Sequence, residues 1–279
     1  MKKRGSTVLL LVVLLVGLSL LFYPKVSDWW NSFHQSRAIM DYTDTVANLD
    51  KEEYDRILSN ALAYNHRWAR EGGPALLSPE RLADYNSQLD PGGDGVMGTI
   101  DIPSIDCHLP LYHGTSEQVL QVAVGHIDWT ALPVGGEGTH SVLSGHRGLP
   151  SARLFTDIDK LVVGDLFRMN ILGETLTYEV DQINIVLPED TQFLMPVPGQ
   201  DLCTLVTCTP YGINSHRLLV RGHRTENQEM ETIIKVVSDA TQVKPILVAP
   251  ILAVPMLLVL FIWMIVSTNK QQARRKIMR

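Results

Sequence analysis

Two long apolar blocks bracket this chain, and between them the hydrophobic period changes from helical to alternating. No charged residue occurs from Thr7 to Tyr23 (TVLLLVVLLVGLSLLFY), or from Ile246 to Ser267 (ILVAPILAVPMLLVLFIWMIVS). Each block is long enough to cross a bilayer as a helix, the first only just, so each predicts a transmembrane span. Pro250 and Pro255 kink the second without excluding it, because membrane helices tolerate proline. Lys2, Lys3 and Arg4 precede the first block, and no small-x-small cleavage pattern follows it. Trp29 and Trp30 stand where an interfacial aromatic belt would sit, which favours a retained anchor over a removed signal peptide. Lys270, Arg274, Arg275, Lys276 and Arg279 follow the second block. The positive-inside rule then places both termini (1–6 and 268–279) in the cytoplasm and everything between the spans outside the membrane.

From Asp41 to about Asn65 the period is helical. Asp50 and Glu53 have capping-box spacing, Leu49 and Tyr54 are placed as a hydrophobic staple, and Ile57, Leu58, Ala61 and Leu62 form an apolar stripe. Arg70 to Gly95 is rich in Gly, Pro and polar residues and reads as a long surface loop with one short helix over Pro79–Asn86. Such loops are functional or disordered. From Val96 to Arg224 the pattern alternates: MGTIDIP, VLQVAVG, HSVLSGH, DLFRMNI, TLTYEVDQINIVL, LCTLVTC and RLLVRGH all read as strands. In TLTYEVDQINIVL the apolar set changes from Leu176, Tyr178 and Val180 to Ile183, Ile185 and Leu187. That change of phase predicts a bulge or corner at Asp181 and Gln182. Short strands separated by turns indicate a mainly β domain, a barrel or a sandwich. A polar linker over residues 225–245 joins it to the second span.

Composition adds one exclusion. With a net charge of -6 and no basic run outside the termini, the chain does not have the profile of a nucleic-acid binder. Membrane lipid is an expected partner.

The three cysteines, Cys107, Cys203 and Cys208, are too few for a disulfide framework. Cys203 and Cys208 lie five apart in one predicted strand, so they point to opposite faces and do not readily pair. No C-x-x-C pair occurs, and no metal site is expected. Cys208 ends its strand at a turn, TPYGINSH, from which Arg217 starts back; a hairpin sets the two side by side. A cation beside a thiol favours thiolate, and an arginine offers a fork of donors to a developing oxyanion. An arginine merely facing solvent fits the spacing equally well. A leaving amine also needs a proton donor, usually histidine. His146, in SGHRG between Gly145 and Gly148, competes for this place with His126 and His216, and spacing alone does not decide among them.

TLVTC followed by Arg217, together with SGHRG, resembles the TLxTC…R signature and histidine segment of the sortase family. GDGVMGTIDIPSI, LPLYHGTSEQVLQVAVGH and THSVLSGHRGLPSARLFTDIDKL extend the likeness over Val96–Arg224, in order, to the class C, pilin-polymerising sortases. The resemblance implies an eight-stranded β-barrel with an N-terminal helix and a lid-like loop over 24–95, flanked by two transmembrane helices. It also implies a cofactor-free cysteine transpeptidase on a Gram-positive cell surface. In that reading Cys208 attacks the Thr–Gly bond of an LPxTG-like sorting signal, and His146 protonates the departing amine. Arg217 steadies the oxyanion or the substrate, and Thr207 contacts substrate or positions the site. The acyl group then passes to a lysine amine of a pilin subunit.

The lid departs from the family pattern, which has Asp-Pro-aromatic at this place. Here Ser78, Pro79 and Glu80 occupy it, while the only Asp-Pro, Asp90-Pro91, is followed by Gly92. A serine cannot pair with the arginine and a glutamate cannot stack on the cysteine, so the expected lid plugs weakly. Three alternatives stand beside this reading: a sortase that anchors proteins to cell-wall peptide, a membrane-anchored cysteine protease, and a non-enzymatic surface adaptor.

Overall fold

The computed structural model describes residues 2–70 and 78–227. The second apolar block, most of the linker before it and the basic tail lie outside these residues. α1 runs from Lys2 to Ala47, straight through Pro24, and α2 from Lys51 to Arg70. The sequence predicts one helix over 41–65; two are present, broken at residues 48–50. The break arises at the predicted cap: the Glu53 N–H donates to Asp50 Oδ1 at 2.8 Å, so Asp50 starts a new helix. The Glu53 carboxylate turns to Arg56 instead of completing the box. Among the described residues, one helix is long and apolar enough to cross a membrane, counted from Leu11 to Ala47.

Eight strands follow: β1 Val96–Ile102, β2 Cys107–His113, β3 Val124–His126, β4 Thr139–Ser144, β5 Leu166–Ile171, β6 Glu174–Val186, β7 Asp201–Thr209 and β8 His216–Arg224. They close into a barrel in the order β1-β2-β3-β4-β7-β8-β6-β5. β2–β3 and β4–β7 are parallel, and the other pairs are antiparallel. The barrel closure and the helix before it match the eight-stranded, mainly β expectation. Within VLQVAVG only β3 is strand. Ser116 caps a short helix, α4 (Glu117–Leu120), by accepting from the Val119 N–H, and so diverts the start of that run. β2, by contrast, is a strand not separated in the alternation.

The expected irregularity in β6 is a bulge. Val180 pairs with Gly222 but Gln182 pairs with Arg221, which leaves Asp181 unpaired in the ladder. The bulge aims Asp181 at the Arg221 guanidinium, with contacts of 2.9 and 3.0 Å. Beyond it the apolar set Ile183, Ile185 and Leu187 is exposed, not core. The core lies inside the barrel, where Phe167 and Tyr178 stack, and extends under α2. Trp68 and Tyr64 bury there, Trp68 Nε1 donates to Trp129 O, and Asn65 makes a two-way bond with the Leu132 backbone. Each large apolar side chain buried this way contributes about 1.5–3 kcal/mol.

α3 (Pro79–Asn86) agrees with the predicted short helix. Tyr85 and Leu89 are fully buried, so this segment belongs to the core and is not a free flap. Gly125 marks the tightest glycine approach among the described residues: a Cβ there would clash with Gly114 O. Gly125→Ala is therefore expected to cost about 2–3 kcal/mol as β3 is pushed from β2. Calorimetric melting measures this, and an unchanged Tm would contradict the packing.

α1 lies along the barrel from one rim to the other. Asp28 Oδ1 accepts from Arg153 N at 2.9 Å and Asn31 Nδ2 donates to Ser151 O at 2.8 Å. At the far rim, Tyr42 Oη donates to Met97 O at 3.0 Å and accepts from Leu172 N at 2.8 Å. Following the pairings round, β4, β6 and β7 finish, and β5 and β8 begin, at the rim that meets Asp28 and Asn31.

Candidate active site

Cys208 and Arg217 stand directly opposite one another in the β7–β8 ladder. Opposed residues of an antiparallel pair share a face, with Cβ atoms about 4.5–5.5 Å apart. The outer face of this hairpin thus reads Thr204 beside Arg221, Val206 beside Leu219, and Cys208 beside Arg217. Arg217 Nη1 donates to the carbonyl oxygens of Asn214 and His216, at 3.3 and 3.1 Å. Two bonds from one nitrogen fix the guanidinium plane at the mouth of the hairpin.

The other thiols are of a different kind. Cys203 is fully buried on the inner face with its sulfur 3.8 Å from that of Met169, and burial pushes its thiol well above the ordinary value. Burial pushes the Cys107 thiol up to about 12. Neither supplies a thiolate nucleophile. Cys208 is the free cysteine that is not buried.

The three candidate histidines separate cleanly. His126 is completely buried in the barrel wall: its Nδ1 faces the Tyr85 hydroxyl at 2.9 Å and its Nε2 donates to Ala131 O at 2.9 Å. Burial lowers its pKa to about 3, so it stays neutral and structural. Keeping it neutral weakens folding as pH falls from about 6.5 toward 3, since the unfolded chain binds the proton first. His216 neighbours Arg217 in β8 and so projects from the other face of the strand; its Nδ1 contacts the Ser215 hydroxyl.

His146 lies just past β4. Ser144 pairs with Val206, and the Gly145 N–H donates to Val206 O at 3.1 Å, carrying the parallel register past the strand end. Two residues on from that pair, His146 comes level with Cys208. Gly145 is needed here because a Cβ would meet the Phe155 ring at 2.7 Å. Thr207 does not face the site. It is buried and donates to Gly145 O at 2.7 Å, tying the strand of Cys208 to the backbone before His146.

Two neighbours were not singled out from the sequence. Glu117 places a carboxylate oxygen 3.9 Å from His146 Nε2. Its signal was the Ser116 cap, just ahead of the run VLQVAVG that reads as strand. Arg147 follows His146 in SGHRG; it pairs with Asp159 and reaches Thr209 Oγ1 at 3.4 Å, linking the histidine loop to the residue after Cys208.

Beyond Cys208 the outer face is apolar. Val142, Val206, Leu219 and Val186 form a second cluster with Leu194, against which Phe193, Ile127 and Trp129 pack. Ser78, Pro79 and Glu80 are exposed and lie at the start of α3. Ser78 Oγ accepts from Arg81 N and Pro79 is the first helical residue. The Ser78 hydroxyl, with Glu80's own backbone N–H, holds the Glu80 carboxyl below its ordinary value. These three residues thus cap a helix locally. Among the described residues no group of His, Cys, Asp and Glu is arranged to hold a metal.

The Sortase domain family profile matches residues 100–225. The chain is 31% identical over 145 residues to Sortase D of Bacillus subtilis, covering 51% of this chain and 70% of that one. Sortase C1 of Streptococcus agalactiae has 55% sequence identity and a TM-score of 0.67, over 68% of this chain and 99% of that chain. Clostridium perfringens sortase C, solved with the C-terminal cell wall sorting motif, has 42% identity and a TM-score of 0.60, over 69% and 100%.

Proposed function

Because the chain belongs to the sortase family, as a class C cysteine transpeptidase, we propose that it joins pilin subunits through LPxTG-like sorting signals. The observation that carries the chemistry is the pairing of the partly exposed Cys208 with Arg217 across one ladder rung, at the end of β7 level with His146.

In this mechanism the Cys208 sulfur attacks the threonine carbonyl carbon, forming a C–S bond and an oxyanion that accepts from the Arg217 guanidinium. The C–N bond to glycine breaks as His146 gives its proton to the departing nitrogen. A pilin lysine amine then attacks the thioester, its proton passes to His146, and the sulfur leaves as an isopeptide bond forms. Thr207 acts through Gly145, as a positioning residue. The apolar floor at Val206 and Leu219 takes the leucine and proline of the signal. Thiol, imidazole and guanidinium supply every role, so no cofactor is called for. The N-terminal helix anchors the enzyme in the membrane with its catalytic barrel outside, and two spans would hold both termini in the cytoplasm.

Incubation of the enzyme with a pilin bearing the signal tests this reading. Denaturing gels should show a ladder, and mass spectrometry a Thr–lysine isopeptide. Cleavage without joining would mark a hydrolase, and joining only to glycine-type amines would mark a wall-anchoring enzyme.

The lid-like segment plugs the site weakly, and Glu80 does not cover the thiol. Labelling of Cys208 by a small thiol reagent should change by less than about twofold in Glu80→Ala, as for an exposed surface substitution. A tenfold rise would mean that Glu80 occludes the site.

A further inference from the structure

The barrel carries two adjacent apolar residues where nothing in the core asks for them. Val162 and Val163, in the turn before β5, are 60% and 64% exposed. The turn is firmly built: Asp165 Oδ2 accepts from Val162 N at 2.9 Å, Asp165 N donates to Val162 O, and Gly164 N donates to Val180 O at 2.8 Å. Both side chains are therefore held outward by the backbone.

The position of this turn along α1 follows from the fold. Tyr42 bonds to Leu172, just past the end of β5, while Asp28 and Asn31 bond to Arg153 and Ser151. β5 spans about 20 Å at strand rise. The same length of helix is about 13 residues, so the start of β5 lies toward the rim that the turn of α1 near Trp29 and Trp30 meets. The neighbouring strand agrees: β1 is antiparallel to β5 and ends where β5 begins, and Asp28 and Ser32 share a cavity of about 170 Å³ with Ile105, Asp106 and Cys107, which lead from β1 into β2. Trp29 and Trp30 are exposed and follow the apolar run of α1 by less than two helical turns.

We propose that the Val162–Val163 turn docks into the lipid surface beside the membrane end of α1. The occupant is lipid because the turn is continuous in level with the helix that enters it, and α1 is bonded to both rims of the barrel. An apolar side chain at this depth enters the headgroup–acyl boundary by about 5–10 Å. The proposal rests on α1 as a membrane helix and extends it from a tether to a second point of contact.

The test uses the full chain with Cys208→Ala, reconstituted in phosphatidylglycerol–phosphatidylethanolamine vesicles. A bimane label is attached at Val163→Cys, Trp29→Cys or Glu174→Cys, the last at the far rim, and brominated lipid is the quencher. Quenching by about half at 163 and 29, with little at 174, is expected for insertion to the boundary depth. Quenching at 29 without 163 overturns the docking while leaving the anchor intact. No quenching at 29 overturns the anchor itself, and the docking with it.

Discussion

Cys208→Ala is expected to abolish both cleavage and joining, with ladder formation lowered by at least about 10³-fold, as when a covalent nucleophile is removed. Its Tm should stay close to wild type. The side chain lies partly exposed at a strand end, so its loss opens no sealed cavity and should cost well under about 1 kcal/mol. Cys203→Ala is the matched control. Removing that fully buried sulfur from beside Met169 should cost about 1–3 kcal/mol, while activity per folded molecule is kept. Gel ladders and calorimetry on both variants separate the chemical effect from the structural one. Residual joining by Cys208→Ala would remove the thioacyl intermediate from the mechanism, and retained surface function with no joining would favour the adaptor reading.

Arg217 should behave as a geometric group and not only as a charge. Arg217→Ala is expected to lower kcat/KM by about 10²–10³, the usual effect of losing an oxyanion donor. Arg217→Lys keeps the charge but loses the planar fork that the Asn214 and His216 carbonyls hold. The lysine variant should therefore recover less than about tenfold over alanine, because a point charge does not replace a fixed guanidinium. Steady-state kinetics on a sorting-signal peptide measure the difference. Near-wild-type activity in the lysine variant would reduce the role of Arg217 to electrostatics.

The β alternation, the helix starts and the bulge were readable because each rests on local chemistry. Asp50 and Ser78 cap helices through their own side chains, and a two-residue period cannot absorb Asp181 without a bulge. Cys208 facing Arg217 was readable for the same reason, since one hairpin makes the pair. The histidine was not, because its place is set by a parallel pairing between distant strands. Spacing left His126 and His216 open beside His146, which the family resemblance favoured, until the burial of His126 against Tyr85 was visible. Thr207 was open between substrate contact and positioning because strand parity near a turn does not tell inside from outside. The set beyond Asp181 is exposed, because alternation marks which residues share a side, not which side is dry.

The parallel β4–β7 pair also governs the order in which the molecule can become active. Thr207 and Gly145, which it joins, are 62 positions apart. The β7–β8 hairpin closes over a short turn, whereas the β4–β7 contact must first overcome the entropy of a long loop. During folding, Cys208 and Arg217 therefore meet early and His146 arrives late. A half-folded chain therefore has its thiol and cation side by side before its proton donor is in place. Chemistry in the proposed mechanism waits for the last strands to close.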